Sequence, residues 1–313
     1  MPEKNNILRL VRVKNAYNII MVGPPGSGKT MIARRLASIL PPLTTDEALE
    51  TTRIHSVAGL LTSGVSLIVQ RPFRAPHHTI SNAALVGGGS IPKPGEISLA
   101  HNGVLFLDEL PEFRSSALEM LRQPLEDGMV TLSRSRLSVN YPSRIMLVAS
   151  MNPSPRGDWY DPDDPGTPPP EEVRKYMGRV SGPLMDRIDI HVEVQKVSFD
   201  ELTVSSAIES SDGIRIRVQL AREWQKKRFS KNPDVFNNAQ MSTRLVRKLC
   251  VIDKAGAQIL KKAMTQLGLS ARAYDRILKV ARTIADLDGS GEIKAYHVAE
   301  AIQYRSLDRE YWE

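Results

Sequence analysis

At 313 residues the chain has room for about two domains, and 41% hydrophobic with 25% charged residues is an ordinary globular composition that excludes a disordered or fibrous protein. Its 42 lysines and arginines against 35 acids leave a net charge of +7, which permits a nucleic-acid partner and equally a plain solvated surface. No apolar run is long enough to span a bilayer, no signal-peptide core follows Met1, and the single cysteine, Cys250, rules out an internal disulfide, so a reducing cytoplasm is the expected location.

The first 17 residues offer one short stretch, Ile7 to Val13, alternating apolar and basic, which reads as an edge strand or a lead-in. The apolar run Ile19-Ile20-Met21-Val22 follows, and then Gly23-Pro24-Pro25-Gly26-Ser27-Gly28-Lys29-Thr30-Met31. Gly23, Gly28, Lys29 and Thr30 meet the pattern G-x-x-x-x-G-K-[ST]. Glycines let successive backbone N–H groups turn onto an anion, Lys29 reaches the outer phosphates of a nucleotide, and the Thr30 hydroxyl ligates Mg²⁺. A helix from Thr30 to about Leu40 aims its N-terminus at the same phosphates. ATP and Mg²⁺ are therefore the expected cofactors. So little chain precedes the loop that a truncated N-terminus is expected.

Pro41-Pro42 ends that helix, and Thr45 to Glu50 opens another with a capping arrangement. A long excursion rich in glycine and proline carries Arg71-Pro72-Phe73-Arg74-Ala75-Pro76-His77-His78, Gly87-Gly88-Gly89 and Pro94-Gly95-Glu96-Ile97. No third ligand stands at metal spacing beside His77 and His78, so an ordered loop is favoured over a metal site. Gly103-Val104-Leu105-Phe106-Leu107-Asp108-Glu109 reads as a buried parallel strand delivering two carboxylates at its C-terminal end, where open α/β sheets bind ligands. Asp108 suits the Mg²⁺ shell, and Glu109 suits the polarising of an attacking water. A helix is expected over Ser115–Asp127, then a hairpin over Met129–Pro142 whose basic tip, Ser133-Arg134-Ser135-Arg136, would touch phosphates or simply be solvated. The run Arg144 to Met151 is another buried strand, ending at Asn152 close to the γ-phosphate. Beyond it Pro153 to Pro170 reads as an acidic, proline-rich surface loop with no cysteine for zinc.

After Val194 the pattern turns helical: Phe199–Ser210, Gly213–Phe229, Ser242–Leu249, Lys254–Leu267, Ser270–Leu287 and Lys294–Ser306. Arg222, Lys226, Lys227, Arg228 and Lys231 read as a solvated basic face. Asp286 to Gly291 resembles half of a calcium loop, but His297 stands where its last carboxylate belongs, so a helix cap explains the glycines better.

Taken together, Gly23–Thr30, Arg71–His78, Pro94–Phe113, Met151-Asn152-Pro153, Ser181–Asp189 and Leu269–Leu278 resemble the magnesium-chelatase-like AAA+ ATPases, in particular the bacterial ComM/YifB family, across nearly the whole chain. The resemblance implies an α/β P-loop NTPase fold with a parallel sheet sandwiched by helices over residues 1–196, carrying helix-2 and hairpin insertions, and an all-α lid over 197–313. It assigns Walker A to Gly23–Thr30, Walker B to Asp108 and Glu109, and sensor 1 to Asn152. It also assigns an arginine finger to Arg187, acting on a neighbour in a hexameric ring, and to Arg272 the sensing of its own subunit's γ-phosphate. The resemblance also implies an N-terminal Lon-protease-like domain, usual in that family, which is expected to be missing from this sequence. The function implied is a DNA motor for unwinding or branch migration in recombination or natural transformation, with His77, His78, Arg134 and Arg136 facing the DNA. The alternative is a motor that remodels a protein partner, as magnesium-chelatase ATPase subunits do. No membrane partner is expected.

Overall fold

The computed structural model describes residues 17–61, 64, 66–134, 137–159, 166–196, 211–232 and 235–305. The expected strand at Ile7–Val13 and helix at Phe199–Ser210 lie outside them. In chain order the elements are β1 (Ile19–Val22), α1 (Lys29–Ile39), α2 (Thr45–Val57), β2 (Phe73–Arg74), α3 (Asn82–Val86), β3 (Gly87–Gly88), β4 (Lys93–Pro94), α4 (Glu96–Leu99) and β5 (Val104–Leu107). Then come α5 (Ser115–Glu119), α6 (Arg122–Asp127), β6 (Met129–Arg134), β7 (Leu137–Pro142), β8 (Met146–Met151), α7 (Pro170–Met177), α8 (Gly182–Met185) and β9 (Ile190–Glu193). The C-terminal part holds α9 (Ser211–Arg228), α10 (Thr243–Leu249), α11 (Lys254–Gln266), α12 (Ala271–Leu287) and α13 (Ala295–Gln303).

Five strands form one parallel sheet in the order β2-β5-β8-β1-β9. The inner strands are apolar along their length because both faces are covered. Alternate side chains point to opposite faces. Ile19 and Met21 of β1 join Phe106, Val148 and Ile190 in a core closed by Ala33, Leu36 and Ile39 of α1. Ile20 and Val22 join Leu105, Leu107 and Leu147 in a second core under Ile97, Leu118, Val173 and Leu184. This is the expected α/β fold with flanking helices and a helical C-terminal region.

Local corrections have plain causes. The helix expected over Ser115–Asp127 breaks into α5 and α6, and the break places Pro124, which lacks an N–H to donate, in the first turn of α6. The capping arrangement at α2 is real: Thr44 accepts from the Glu47 N–H and the Glu47 carboxylate accepts from the Thr44 N–H. Within the excursion, Arg71 and Arg74 are absorbed structurally. Arg71 donates to the carbonyls of Pro41, Pro42 and Asn102 and pairs with Glu47 at 2.9 Å, while Arg74 forks onto Glu96 at 2.6 Å.

The described C-terminal helices fall within three residues of the expected limits, with Ser242, Asp253 and Ser270 capping α10, α11 and α12 through their side chains. Their apolar faces, including Phe229, Leu260, Ile277, Ile284 and Val298, continue the first sheet core without a break. At the centre Asp286 accepts from both arms of Arg228 at 2.6 and 2.5 Å, from Arg282 at 3.1 Å and from Asn238 at 2.8 Å. Arg228 therefore leaves the basic face expected for it. So does Arg222, which donates to the Phe236 carbonyl and whose pKa burial lowers to about 10. Asp286→Ala strands the buried Arg282 and the largely buried Arg228, and the loss expected in a denaturant titration is about 3–5 kcal/mol.

Buried histidines, among them His101 and His191, are expected to weaken the fold in acid. His101 receives the Arg144 N–H at Nδ1 and meets Glu50 through Nε2 at 3.1 Å; burial pushes its pKa down, as burial and then the Arg305 and Arg276 charges do for His191. A depressed folded-state pKa means that the unfolded chain takes up protons first. The stabilisation is present above the unfolded value of about 6.5 and is lost as pH falls toward the folded values. Denaturant midpoints are thus expected to drop between about pH 7 and 5, and His101→Gln is expected to flatten the slope.

Candidate functional site

The site sits at the C-terminal edge of the sheet, where β1, β5 and β8 end side by side. After Val22 the chain turns through Gly26 and Gly28, whose φ angles of 76° and 88° suit glycine, and enters α1 at Lys29. The Lys29 ammonium donates to the carbonyls of Gly23 at 2.6 Å and Pro24 at 2.9 Å, and to Asn152 Oδ1 at 3.1 Å. Partial burial lowers its pKa, and the charges of Asp108 and Glu109 oppose the shift. The Ser27 hydroxyl is buried without a hydrogen-bond partner. A strand–loop–helix turn with an orphaned hydroxyl and an ammonium resting on carbonyls fits a phosphate group well.

Asp108, the first residue past β5, is bonded at both oxygens: Thr30 Oγ1 donates to Oδ2 at 3.0 Å and the Ser150 hydroxyl donates to Oδ1. Ligands on adjacent corners of a Mg²⁺ octahedron lie about 2.9 Å apart, so the Thr30–Asp108 pair suits the ion. Among the described residues no three His, Cys, Asp or Glu side chains gather into a metal cage. A Mg²⁺ ion here would be shared between these two oxygens, water and substrate phosphates, which is its usual mode.

Glu109 takes a left-handed conformation, φ 54° and ψ 52°, uncommon for a side-chain-bearing residue. Its side chain is 54% exposed, and its carboxylate lies 3.4 Å from His78 Nδ1. The structure thus brings Lys29, Thr30, Asp108, Glu109 and Asn152 together at one edge, as expected. It adds two residues that the sequence reading missed, Ser150 and Tyr176, and sets beside Glu109 a third, His78, which that reading gave to DNA. Tyr176, in α7, is hydrogen-bonded to the Asn152 backbone, and burial followed by the charges of Glu112 and Glu109 pushes its pKa up to about 12. Ser150 had a signal, a hydroxyl inside the otherwise apolar run Met146 to Met151. Tyr176 had none, and nothing in the sequence pointed His78 at Glu109, since both arrive from distant segments.

His78 lies against Glu109, and His77 Nδ1 contacts the Thr79 hydroxyl at 3.0 Å. The stretch after Asn152 begins as packed chain: Pro153, Ser154 and Gly157 are buried, and a Cβ at Gly157 would lie 2.7 Å from Pro25 of the phosphate loop. The hairpin β6–β7 forms with Thr131 opposite Asn140, while Ser135 and Arg136 lie outside the described residues.

The two remaining arginines stand at the far edge of the sheet. Arg187 accepts through its carbonyl from Asn18 Nδ2, at the start of β1, and its guanidinium donates to the Pro183 carbonyl and pairs with Glu126, not with Asp186 or Asp189. Its Nε–H is buried with no hydrogen bond. Asp189 instead pairs with Arg276 and accepts from the Asn18 N–H. Arg272, exposed one turn before Arg276, lies close enough to help Arg187 hold the Glu126 carboxyl below its usual range. The strand from Asn18 to Gly23 spans roughly 16 Å, and Arg272 lies near Glu126, at the end of β1 away from Gly23.

Among the described residues no helix is long and apolar enough to cross a membrane. The family model for magnesium chelatase subunit ChlI matches residues 4–202, and the model for the ChlI C-terminal region matches residues 208–305. The chain is 46% identical over 296 residues to the competence protein ComM of Haemophilus influenzae, covering 94% of this chain and 56% of that one. It is 45% identical over 300 residues to YifB of Escherichia coli, covering 96% and 58%. The chloroplastic magnesium-chelatase subunit ChlI of Nicotiana tabacum is 23% identical over 317 residues, covering 91% and 66%. The chain thus spans less than three-fifths of the length of its ComM and YifB relatives.

Proposed function

Because the chain belongs to the magnesium-chelatase family of AAA+ ATPases, on its ComM/YifB-like side, we propose that it is the ATP-hydrolysing core of a ring motor that acts on DNA. The observation that carries the hydrolytic part is the joint placement of Lys29, Thr30, Asp108, Glu109 and Asn152 at one sheet edge. Lys29 would leave its two carbonyls for the β- and γ-phosphates, Thr30 and Asp108 would hold Mg²⁺, and Asn152 and Glu109 would orient and deprotonate the attacking water. Mg²⁺ supplies neutralisation of charge on the phosphoryl oxygens.

Catalysis of phosphoryl transfer also calls for a cation at the transferred group, the part proposed for Arg187 and Arg272. Arg187 and Arg272 lie together at the opposite edge. In a head-to-tail ring each subunit would present that edge to its neighbour's phosphate loop, so both arginines would serve a nucleotide held by the adjacent copy. The ring reading rests on this separation and on the family; six copies is the number proposed.

DNA is the proposed substrate because a close relative is named for competence and because the sequence between Met129 and Pro142 carries Arg134 and Arg136. Steady-state ATP hydrolysis, measured without DNA, with single-stranded DNA and with a four-way junction, is the test. Stimulation by DNA is expected. Replacing Arg134 and Arg136 together by alanine is expected to weaken DNA binding and to reduce its logarithmic salt slope by about one per lost phosphate contact. Hydrolysis by assembled protein that ignores every DNA would instead favour a protein substrate.

A further inference from the structure

We propose that His78 is a positioning residue for Glu109, acting on hydrolysis only through that carboxylate; this rests on Glu109 being the water-activating base. Asp108 is anchored at both oxygens by Thr30 and Ser150, whereas the Glu109 carboxylate meets an imidazole, His78 Nδ1 at 3.4 Å. A half-exposed glutamate otherwise samples several rotamers, and a base must lie within hydrogen-bond reach of its water.

The imidazole is itself held. Its ring meets the Phe113 ring edge-on at 6.4 Å and the His77 ring at 4.1 Å. Phe113 is buried and closes the single 3-10 turn, Leu110–Glu112, that follows Glu109. The chain leading to His78 is clamped by the Arg74–Glu96 fork and by Arg71 on three carbonyls and Glu47, and it carries Pro72 and Pro76. A ring fixed in this way touches the carboxylate from one side and the turn that carries it from the other. It therefore narrows the range of Glu109 without touching phosphate or metal oxygens. A ring that merely packed on Phe113 would leave Glu109 unaffected.

The test uses the whole chain under the conditions in which it hydrolyses ATP. His78→Ala is expected to lower kcat on the order of tenfold, a fraction of what a base contributes, with KM for ATP within about twofold. His78→Asn, whose amide nitrogen falls close to Nδ1, is expected to recover most of the loss. In a Glu109→Gln background His78→Ala is expected to change the residual rate by less than about twofold, because two residues acting as one unit are not additive. An unchanged kcat in His78→Ala overturns the proposal, and so does a matching rise in KM, no recovery with asparagine, or equal losses in both backgrounds. If Glu109→Gln alone leaves hydrolysis intact, the assignment of the base is what fails. If Glu109→Gln is inactive while His78→Ala matches the unmodified chain, only the positioning role fails.

Discussion

A Glu109→Gln chain is expected to bind ATP with unaltered affinity and to hydrolyse it about 10²–10⁴-fold more slowly. Glutamine keeps the size and hydrogen-bonding reach of the side chain but cannot take a proton from water. The hydrogen bonds that hold the neighbouring groups do not run through the Glu109 carboxylate: Thr30 and Asp108 are 3.0 Å apart, and Lys29 is held by two carbonyls and Asn152. The partly exposed side chain leaves no cavity. Titration with a fluorescent ATP analogue beside single-turnover hydrolysis separates the two steps. A rate within about threefold of the original would remove Glu109 from the mechanism. Lys29→Ala should behave differently, losing nucleotide affinity as well as rate, because the ammonium is the only cation described within the loop.

Arg187→Ala is expected to cost about 10³-fold or more in kcat through loss of charge neutralisation at a neighbour's phosphoryl group. The fold should tolerate the change, since the ion partner Glu126 is exposed and can be solvated once released. A mixing experiment distinguishes action between subunits from a structural effect. Glu109→Gln and Arg187→Ala chains are each inactive alone. Combined in equal amounts they rebuild about a quarter of the interfaces with both residues intact, and activity should return in that proportion. Arg272→Ala should complement Glu109→Gln in the same way. If mixtures stay inactive although assembly is demonstrated, the two arginines do not serve a neighbour.

The alternation and continuity of apolar residues, the loop Gly23–Thr30 and the acids after Leu107 were enough, without coordinates, to place the phosphate loop, the central strands and the residues that meet at their ends. That information is local: a buried parallel strand must be apolar on both faces, and a phosphate loop needs glycine at left-handed positions followed at once by a helix. A capping arrangement was likewise legible at the start of α2, where Thr44 is the cap; the caps Ser242, Asp253 and Ser270 came with the structure. What the tertiary structure decided is where distant segments meet. Arg228 and Asp286 are 58 residues apart in sequence, so a residue read as solvated becomes the anchor of a buried ion cluster. His78 comes to rest on Glu109 because Arg71 and Arg74 clamp the excursion beside β5, and neither contact has a sequence period. Arg272 stands at the far edge because α12 packs at the start of β1, with Tyr17 donating to the Lys279 carbonyl and Arg276 pairing with Asp189. A motif names the chemical type of such an arginine; only the packing of the helix that carries it determines which nucleotide it can reach.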